Sequence, residues 1–234
     1  MNSLLVNPND KGNAIQVTYA DGSTGTLPLA IVGGGKAAYV ATEAGAYKLI
    51  DNTKIFNDTS GHWARQDIDL VTRDGLFAGV GNGSFDPNGT MTRAMLATVL
   101  WRIAGNQDGS GTFADVNSGS WFAVAAAWAG ETGVMTEDGT SFMPNEPITR
   151  EQLCTTVMRF VDWFNLTLAD TGARASFPDA GSISGWAADA VNAAVATGLV
   201  NGRTDGSFDP QGYATRAEVA AVFARLINNV VPAK

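Results

Sequence analysis

Repetition constrains this chain more than any other feature: from residue 55 onward one set of landmarks returns three times, about sixty residues apart. A period of that length marks a repeat architecture, in which each unit depends on its neighbours. Every unit opens with Phe-x-Asp, at Phe56-Asn57-Asp58, Phe113-Ala114-Asp115 and Phe177-Pro178-Asp179. A tryptophan follows (Trp63, Trp121, Trp186), and twelve positions later a glycine (Gly75, Gly133, Gly198). Next comes Phe-x-Pro, at Phe85-Asp86-Pro87, Phe142-Met143-Pro144 and Phe208-Asp209-Pro210. Five residues past each proline stands Thr-Arg (Thr92-Arg93, Thr149-Arg150, Thr215-Arg216), and ten past each threonine another arginine (Arg102, Arg159, Arg225).

The spacing predicts two helices per unit. Five and eight positions after each tryptophan the residue is apolar (Ile68 and Val71, Ala126 and Ala129, Val191 and Ala194), which defines one helical face. The glycine stands where a left-handed C-terminal cap would end that helix. A second helix begins at each threonine. Thr215-Arg216-Ala217-Glu218 matches the capping box, Gln152 takes the Glu role in the second unit, and Met95 leaves the first with the Thr cap alone. Helix, Gly-rich loop and capped helix cannot bury their own apolar face, so three units must pack together. Neither end reads as a polar capping repeat, which favours a closed pseudo-threefold cluster over an open solenoid. The units run over 55–111, 112–175 and 176–234, and the fold class is mainly α.

Residues 1–54 differ. Alternation at Ile15, Val17 and Tyr19, broken by Asp21-Gly22 and by Gly33-Gly34-Gly35, predicts a few β-strands with no partner sheet. Two or three strands alone are marginal in water, so this β-rich segment is expected to end a preceding domain or to pack on the repeats. The start lacks a basic, then apolar, secretory leader, and no stretch approaches the ~20 apolar residues of a membrane span. The preferred expectation is the C-terminal piece of a longer exported protein.

Composition removes several functions. A net charge of −8 argues against nucleic acid, which recruits Lys and Arg in excess. The single cysteine, Cys154, cannot form an internal disulfide, and the single histidine, His62, has no zinc-ligand spacing around it. No cofactor and no metal site is expected.

The order Phe-x-Asp, Trp, Gly, Phe-x-Pro, Thr-Arg-x-Glu resembles the S-layer homology (SLH) domain family over residues 55–234, more than three quarters of the chain. The resemblance implies a three-pronged cluster around a helical core, with ligand grooves between neighbouring repeats. It also implies attachment at the surface of Gram-positive bacteria to a secondary cell-wall polysaccharide, through a pyruvate ketal on a mannosamine sugar. An arginine in the first turn of a helix opposes the macrodipole, at a cost of a few tenths of a kcal/mol, and a bound carboxylate would remove that conflict. Arg93, Arg150 and Arg216 are therefore candidate ligand contacts, the alternative being structural pairs with Asp58, Asp115 and Asp179. Trp63, Trp121 and Trp186 either stack on sugar rings or anchor the core, while Trp101, Trp128 and Trp163 read as core. Gly79 and Gly202 either admit a ligand close to the backbone or supply positive φ to a turn. In the second unit Met135 and Thr136 occupy that place and the loop is one residue shorter, so an altered or silent groove is expected there. Only the third unit carries the complete Thr-Arg-x-Glu, which adds Glu218 to the candidate ligand residues.

Rival readings have weaker support. Loop carboxylates such as Glu131 with Glu137, or Asp205 with Asp209, could serve a glycan-degrading enzyme, yet 54 residues outside the repeats cannot build a separate catalytic domain. Asn201–Gly206 has the outline of a calcium loop but places Arg203 where an oxygen ligand is needed. Self-association into a surface layer stays open.

Overall fold

The computed structural model describes residues 2–5, 12–33, 36–40, 45–135 and 140–230; the expectations placed on Gly34, Gly35, Thr136 and Glu137 lie outside the described residues. Six strands come first: β1 (Asn2–Leu5), β2 (Ala14–Thr18), β3 (Thr24–Thr26), β4 (Ala30–Gly33), β5 (Lys36–Tyr39) and β6 (Ala46–Ile50). Six helices follow: α1 (Arg65–Arg73), α2 (Arg93–Ile103), α3 (Ala123–Glu131), α4 (Arg150–Trp163), α5 (Ala188–Ala196) and α6 (Arg216–Val230). The fold is mainly α with a β-rich N-terminal part. Among the described residues no helix is long and apolar enough to cross a membrane.

The strands do have a partner sheet, contrary to the sequence expectation. β1-β5-β4 and β3-β2-β6 form two antiparallel three-stranded sheets. Ile15 and Val17 of β2, opposite Leu49 and Tyr47 of β6, join Ala30, Ala37 and Tyr39 from the other sheet in one apolar cluster. The alternation in β2 was legible, but its apolar partners are spread over thirty residues of weak pattern. The unit also meets the helices: β4 touches α6, Leu29 is fully buried in the helical core, and the Asn52 side-chain amide donates to the Arg73 carbonyl.

Local chemistry sets the helix boundaries as expected. Gly75, Gly133 and Gly198 adopt φ of 77°, 71° and 70° just beyond α1, α3 and α5. Thr92, Thr149 and Thr215 accept from the backbone N–H three residues on. Gln152 and Glu218 reach back to the threonine N–H, which completes the box in the second and third repeats only. The six positions predicted to face inward, from Ile68 to Ala194, are all buried.

The helical hairpin does not survive as a packing unit. The extensive helix–helix contacts all run between repeats: α3 packs on α2, α5 on α4, and α1 on α6. Three buried residues join the units at the centre, where Met91 N–H donates to Ala214 C=O, Ala214 N–H to Ile148 C=O, and Ile148 N–H to Met91 C=O, at 2.9–3.0 Å. Each repeat thus has its apolar face completed by another.

Candidate functional site: clefts between the repeats

The site begins at the Phe-x-Pro turn. Its middle residue, Asp86, Met143 or Asp209, has φ between 55° and 59°, a left-handed conformation that needs support. Support comes from the Phe-x-Asp carboxylate. Asp58 accepts the N–H groups of Phe85 and Asp86 at 2.9 and 2.7 Å; Asp115 does so for Phe142 and Met143, and Asp179 for Phe208 and Asp209. These aspartates brace the turn of their own repeat; the attraction that Asp58 feels from Arg216, and Asp115 from Arg93, runs between repeats and does not lock a single repeat together as the structural alternative had it.

Each Thr-Arg arginine instead crosses to a neighbouring repeat. Arg93 Nε donates to Phe142 C=O, Arg150 Nε to Phe208 C=O and Arg216 Nε to Phe85 C=O, at 2.7–2.8 Å, with each guanidinium over the same phenylalanine ring. Arg150 Nη2 reaches Asn201 C=O and Arg216 Nη2 reaches Ala78 C=O, both at 2.9 Å. All three side chains are buried. Burial draws the pKa of Arg150 and Arg216 down, but guanidinium starts so high that it keeps its charge.

The helix N-termini are not open to an anion, which corrects the macrodipole argument. The first two N–H groups of α2 donate to Glu146 and Pro144, those of α4 to Gly212 and Pro210, and those of α6 to Gly89 and Pro87. Loop carbonyls of the next repeat occupy the places assigned to a ligand.

Clefts nevertheless lie beside these arginines. One, of about 420 Å³, is lined by Arg150, the third-repeat loop from Val200 to Thr204, Glu218, Arg225 and Trp63. Another, of about 250 Å³, is lined by Arg93, Met135, Gln152, Thr155, Thr156, Arg159 and Trp186. The second repeat therefore does contribute to a cleft. Trp63, Trp121 and Trp186 are 63%, 66% and 59% exposed, so they are surface aromatics rather than core anchors. Of the other three tryptophans, Trp128 is buried, Trp101 is half-buried with its indole N–H on Gln107 C=O, and Trp163 is 36% exposed, which corrects its core assignment.

Gly79 and Gly202 have no positive φ, so the turn alternative fails. A Cβ on Gly79 would stand 2.7 Å from both the Phe56 ring and Ser84 C=O; on Gly202 it would meet Phe177 and Ser207 C=O at 2.9 Å. The loop must run this close to the Phe-x-Asp ring. Glu218 Oε1 accepts from Arg150 at 3.3 Å and from Arg203 at 3.0 Å, bridging two repeats. Sequence reasoning gave Arg203 no binding role; its signal was that it breaks the repeat. Glu131 is engaged with Ser110, and Asp205 with Ser207.

The family description "S-layer homology domain" matches residues 55–95, 112–154 and 176–220, one stretch in each repeat. The chain belongs to the S-layer homology domain family. It is 34% identical to an amylopullulanase of Thermoanaerobacterium thermosulfurigenes over 82% of its length, and 31% identical to the surface-layer 125 kDa protein of Lysinibacillus sphaericus over 83%. It is 30% identical to the cellulosome-anchoring protein of Acetivibrio thermocellus over 63%. The chain spans only 10%, 16% and 34% of those relatives' lengths, respectively.

Proposed function

We propose that this SLH chain holds a bacterial surface protein non-covalently on an anionic secondary cell-wall polysaccharide, pyruvylated and mannosamine-containing, outside the cell. The observation that carries this reading is the pairing, in two clefts between repeats, of an exposed tryptophan with a guanidinium floor. An aromatic face suits the C–H surface of a sugar ring, and buried guanidinium groups favour a carboxylate. Trp63, Trp121 and Trp186 stack on sugar. Arg93, Arg150 and Arg216 supply fixed positive charge, Glu218 orients the charged groups, and Gly79 and Gly202 keep the loop walls low. Asp58, Asp115, Asp179 and Thr92, Thr149, Thr215 hold the repeats in shape. In the same reading the repeats span 55–111, 112–175 and 176–234 and are related by a pseudo-threefold axis, with residues 1–54 a separate β-rich unit.

The role is binding rather than catalysis: the amylopullulanase shares a tenth of its length with this chain, a share too small to contain its whole machinery. Similarity to the surface-layer protein favours a second reading, self-association into a lattice. Sedimentation with purified cell walls separates the two. Anchoring predicts co-sedimentation that disappears when the wall polymer is stripped; lattice formation predicts concentration-dependent oligomers without any wall, and that outcome with no wall binding overturns the anchoring reading.

A further inference from the structure

The β unit covers the first repeat where a linker covers the third. In the third, Thr171 donates its N–H and its hydroxyl to Ala196 C=O at the end of α5, and its methyl carbon stands 3.2 Å from where a Cβ on Gly198 would sit. In the first, Asn52 donates its side-chain amide to Arg73 C=O at the end of α1, and Thr26 Cβ stands 3.4 Å from the same point on Gly75. Leu29, buried in the helical core, and the contact of β4 with α6 complete this joint.

What lies beneath the cover differs. Thr132 and Thr197, at the ends of α3 and α5, are half-buried and donate to carbonyls of their own helices. Their counterpart Asp74 is only 1% exposed, and Arg73 is the one charged group acting on it among the described residues, with Nε 3.6 Å from Oδ1. The other charges around the joint are engaged elsewhere. Arg102 of α2 donates to Leu76 C=O, and Arg225 of α6 donates to Leu199 C=O and faces Asp67. Beyond β6, Lys54 donates to Asn52 Oδ1 and Asp51 accepts from Thr53, while Asp69 of α1 pairs with Arg65. An ionised carboxylate is costly in such a place, whereas a protonated one is neutral and gains an O–H that can donate to a helix carbonyl, as the threonines do.

We propose that the joint between the β unit and the first repeat is a proton-operated latch, in which protonated Asp74 lets the β unit close over the end of α1 and ionised Asp74 loosens it. Opening exposes the carboxylate, whose ordinary value is near 3.9, whereas burial raises it in the closed joint. A raised closed-state value makes this contribution fully present below about pH 4. Above that the open fraction grows by up to about tenfold per pH unit, levelling off once the raised value is passed. The ends of α3 and α5 carry threonine at this position, so the device belongs to the first repeat, whatever the clefts bind.

The test is limited trypsin cleavage of the full chain between pH 5 and pH 8. Lys54 is exposed and bonded to Asn52, so cleavage after it reports release of Asn52 from Arg73; Arg174, exposed in the linker before the third repeat, is the reference in the same sample. With brief digestion, cleavage follows the population of the open form. The ratio of Lys54 to Arg174 cleavage should rise about tenfold or more over this range in the unmodified chain. In Asp74→Asn, which keeps the shape without the charge, and in Asp74→Thr, which copies the other repeats, it should change by less than about two-fold. Other titrating groups are present in all three chains, so the difference between chains isolates Asp74. A ratio that stays flat in the unmodified chain, or that rises as much in both neutral variants, overturns the latch. So does a melting temperature at pH 7 that falls in both variants.

Discussion

The guanidinium of Arg216 stands 4.6 Å from the centre of the Phe85 ring, 131 residues earlier in the chain, and its Nε donates to the Phe85 carbonyl. Arg93 with Phe142 and Arg150 with Phe208 repeat the arrangement. Each repeat inserts its cation beneath the braced turn of a neighbour, so the Thr-Arg arginine staples repeats together before it can serve any ligand.

Removing a staple should destabilise the whole helical body. Arg216→Ala leaves the carbonyls of Phe85 and Ala78 without their donor; a buried unsatisfied acceptor such as that of Phe85 costs about 1–3 kcal/mol, and the guanidinium packing on the Phe85 ring is lost with it. A loss of about 2–5 kcal/mol in urea unfolding is expected. Arg216→Glu should unfold the protein at least as readily, so lost wall binding in that variant does not report a ligand contact. A loss below about 0.5 kcal/mol for Arg216→Ala contradicts the staple role.

The tryptophans should separate by position. Trp63→Ala, Trp121→Ala and Trp186→Ala remove exposed rings and should change stability by no more than about 0.5 kcal/mol while weakening wall binding. Trp128→Ala empties the core and should cost about 3–5 kcal/mol. Denaturant curves run alongside sedimentation assays distinguish the two groups.

The sequence disclosed what local chemistry decides. Gly75 with its left-handed cap, Thr149 with Gln152, and the inward face at Ile68 and Val71 follow from spacing within one helix. What lies between repeats was not legible. Nothing near Arg216 in the chain shows that its partners are Ala78 and Phe85, and a repeated tryptophan is equally compatible with core or surface until its neighbours are known. Leu29 is a further case, since its burial depends on a helical core assembled from residues far along the chain.

Asp74 opposes the fold. It lies at the C-terminal end of α1, and its buried carboxylate has only an ion pair with Arg73 Nε, 3.6 Å from Oδ1, so burial raises its pKa well above the usual range, only partly countered by Arg73. The corresponding Thr132 and Thr197 donate to carbonyls of their own helices at 2.8 Å. Asp74→Thr should therefore stabilise the protein by about 1–3 kcal/mol at pH 7. The sign follows from linkage: a raised folded pKa favours folding only while the group is protonated, so that favour is lost as pH rises through the folded value. The advantage of Asp74→Thr should shrink toward pH 4.

Acid should act in the opposite direction through the bracing aspartates. Burial pushes Asp58 and Asp115 up, but the turn N–H groups and the nearby arginine outweigh it; for Asp179 the Phe208 N–H is the main cause, and all three end below the usual carboxylate value. A depressed folded pKa contributes stability above the unfolded value, near 3.9, and loses it as pH falls through the folded one. Unfolding midpoints measured below about pH 4 should fall in the unmodified chain and in Asp74→Thr alike.

Met143 holds φ of 55° at the position where the other repeats use Asp86 and Asp209, and its side chain is 39% exposed. Met143→Gly removes the Cβ conflict of a left-handed residue and should stabilise the chain by about 0.5–1 kcal/mol. The midpoint of urea unfolding measures it, and a fall in that midpoint contradicts the account of this turn.

Titration calorimetry of the intact protein, comparing a pyruvate-ketal mannosamine disaccharide with the same disaccharide lacking the ketal, tests anchoring to an anionic wall sugar most directly. Heat of binding for the ketal, with affinity at least about tenfold above the neutral sugar, is the expected result. Equal affinity for the two, or no heat from either, contradicts it.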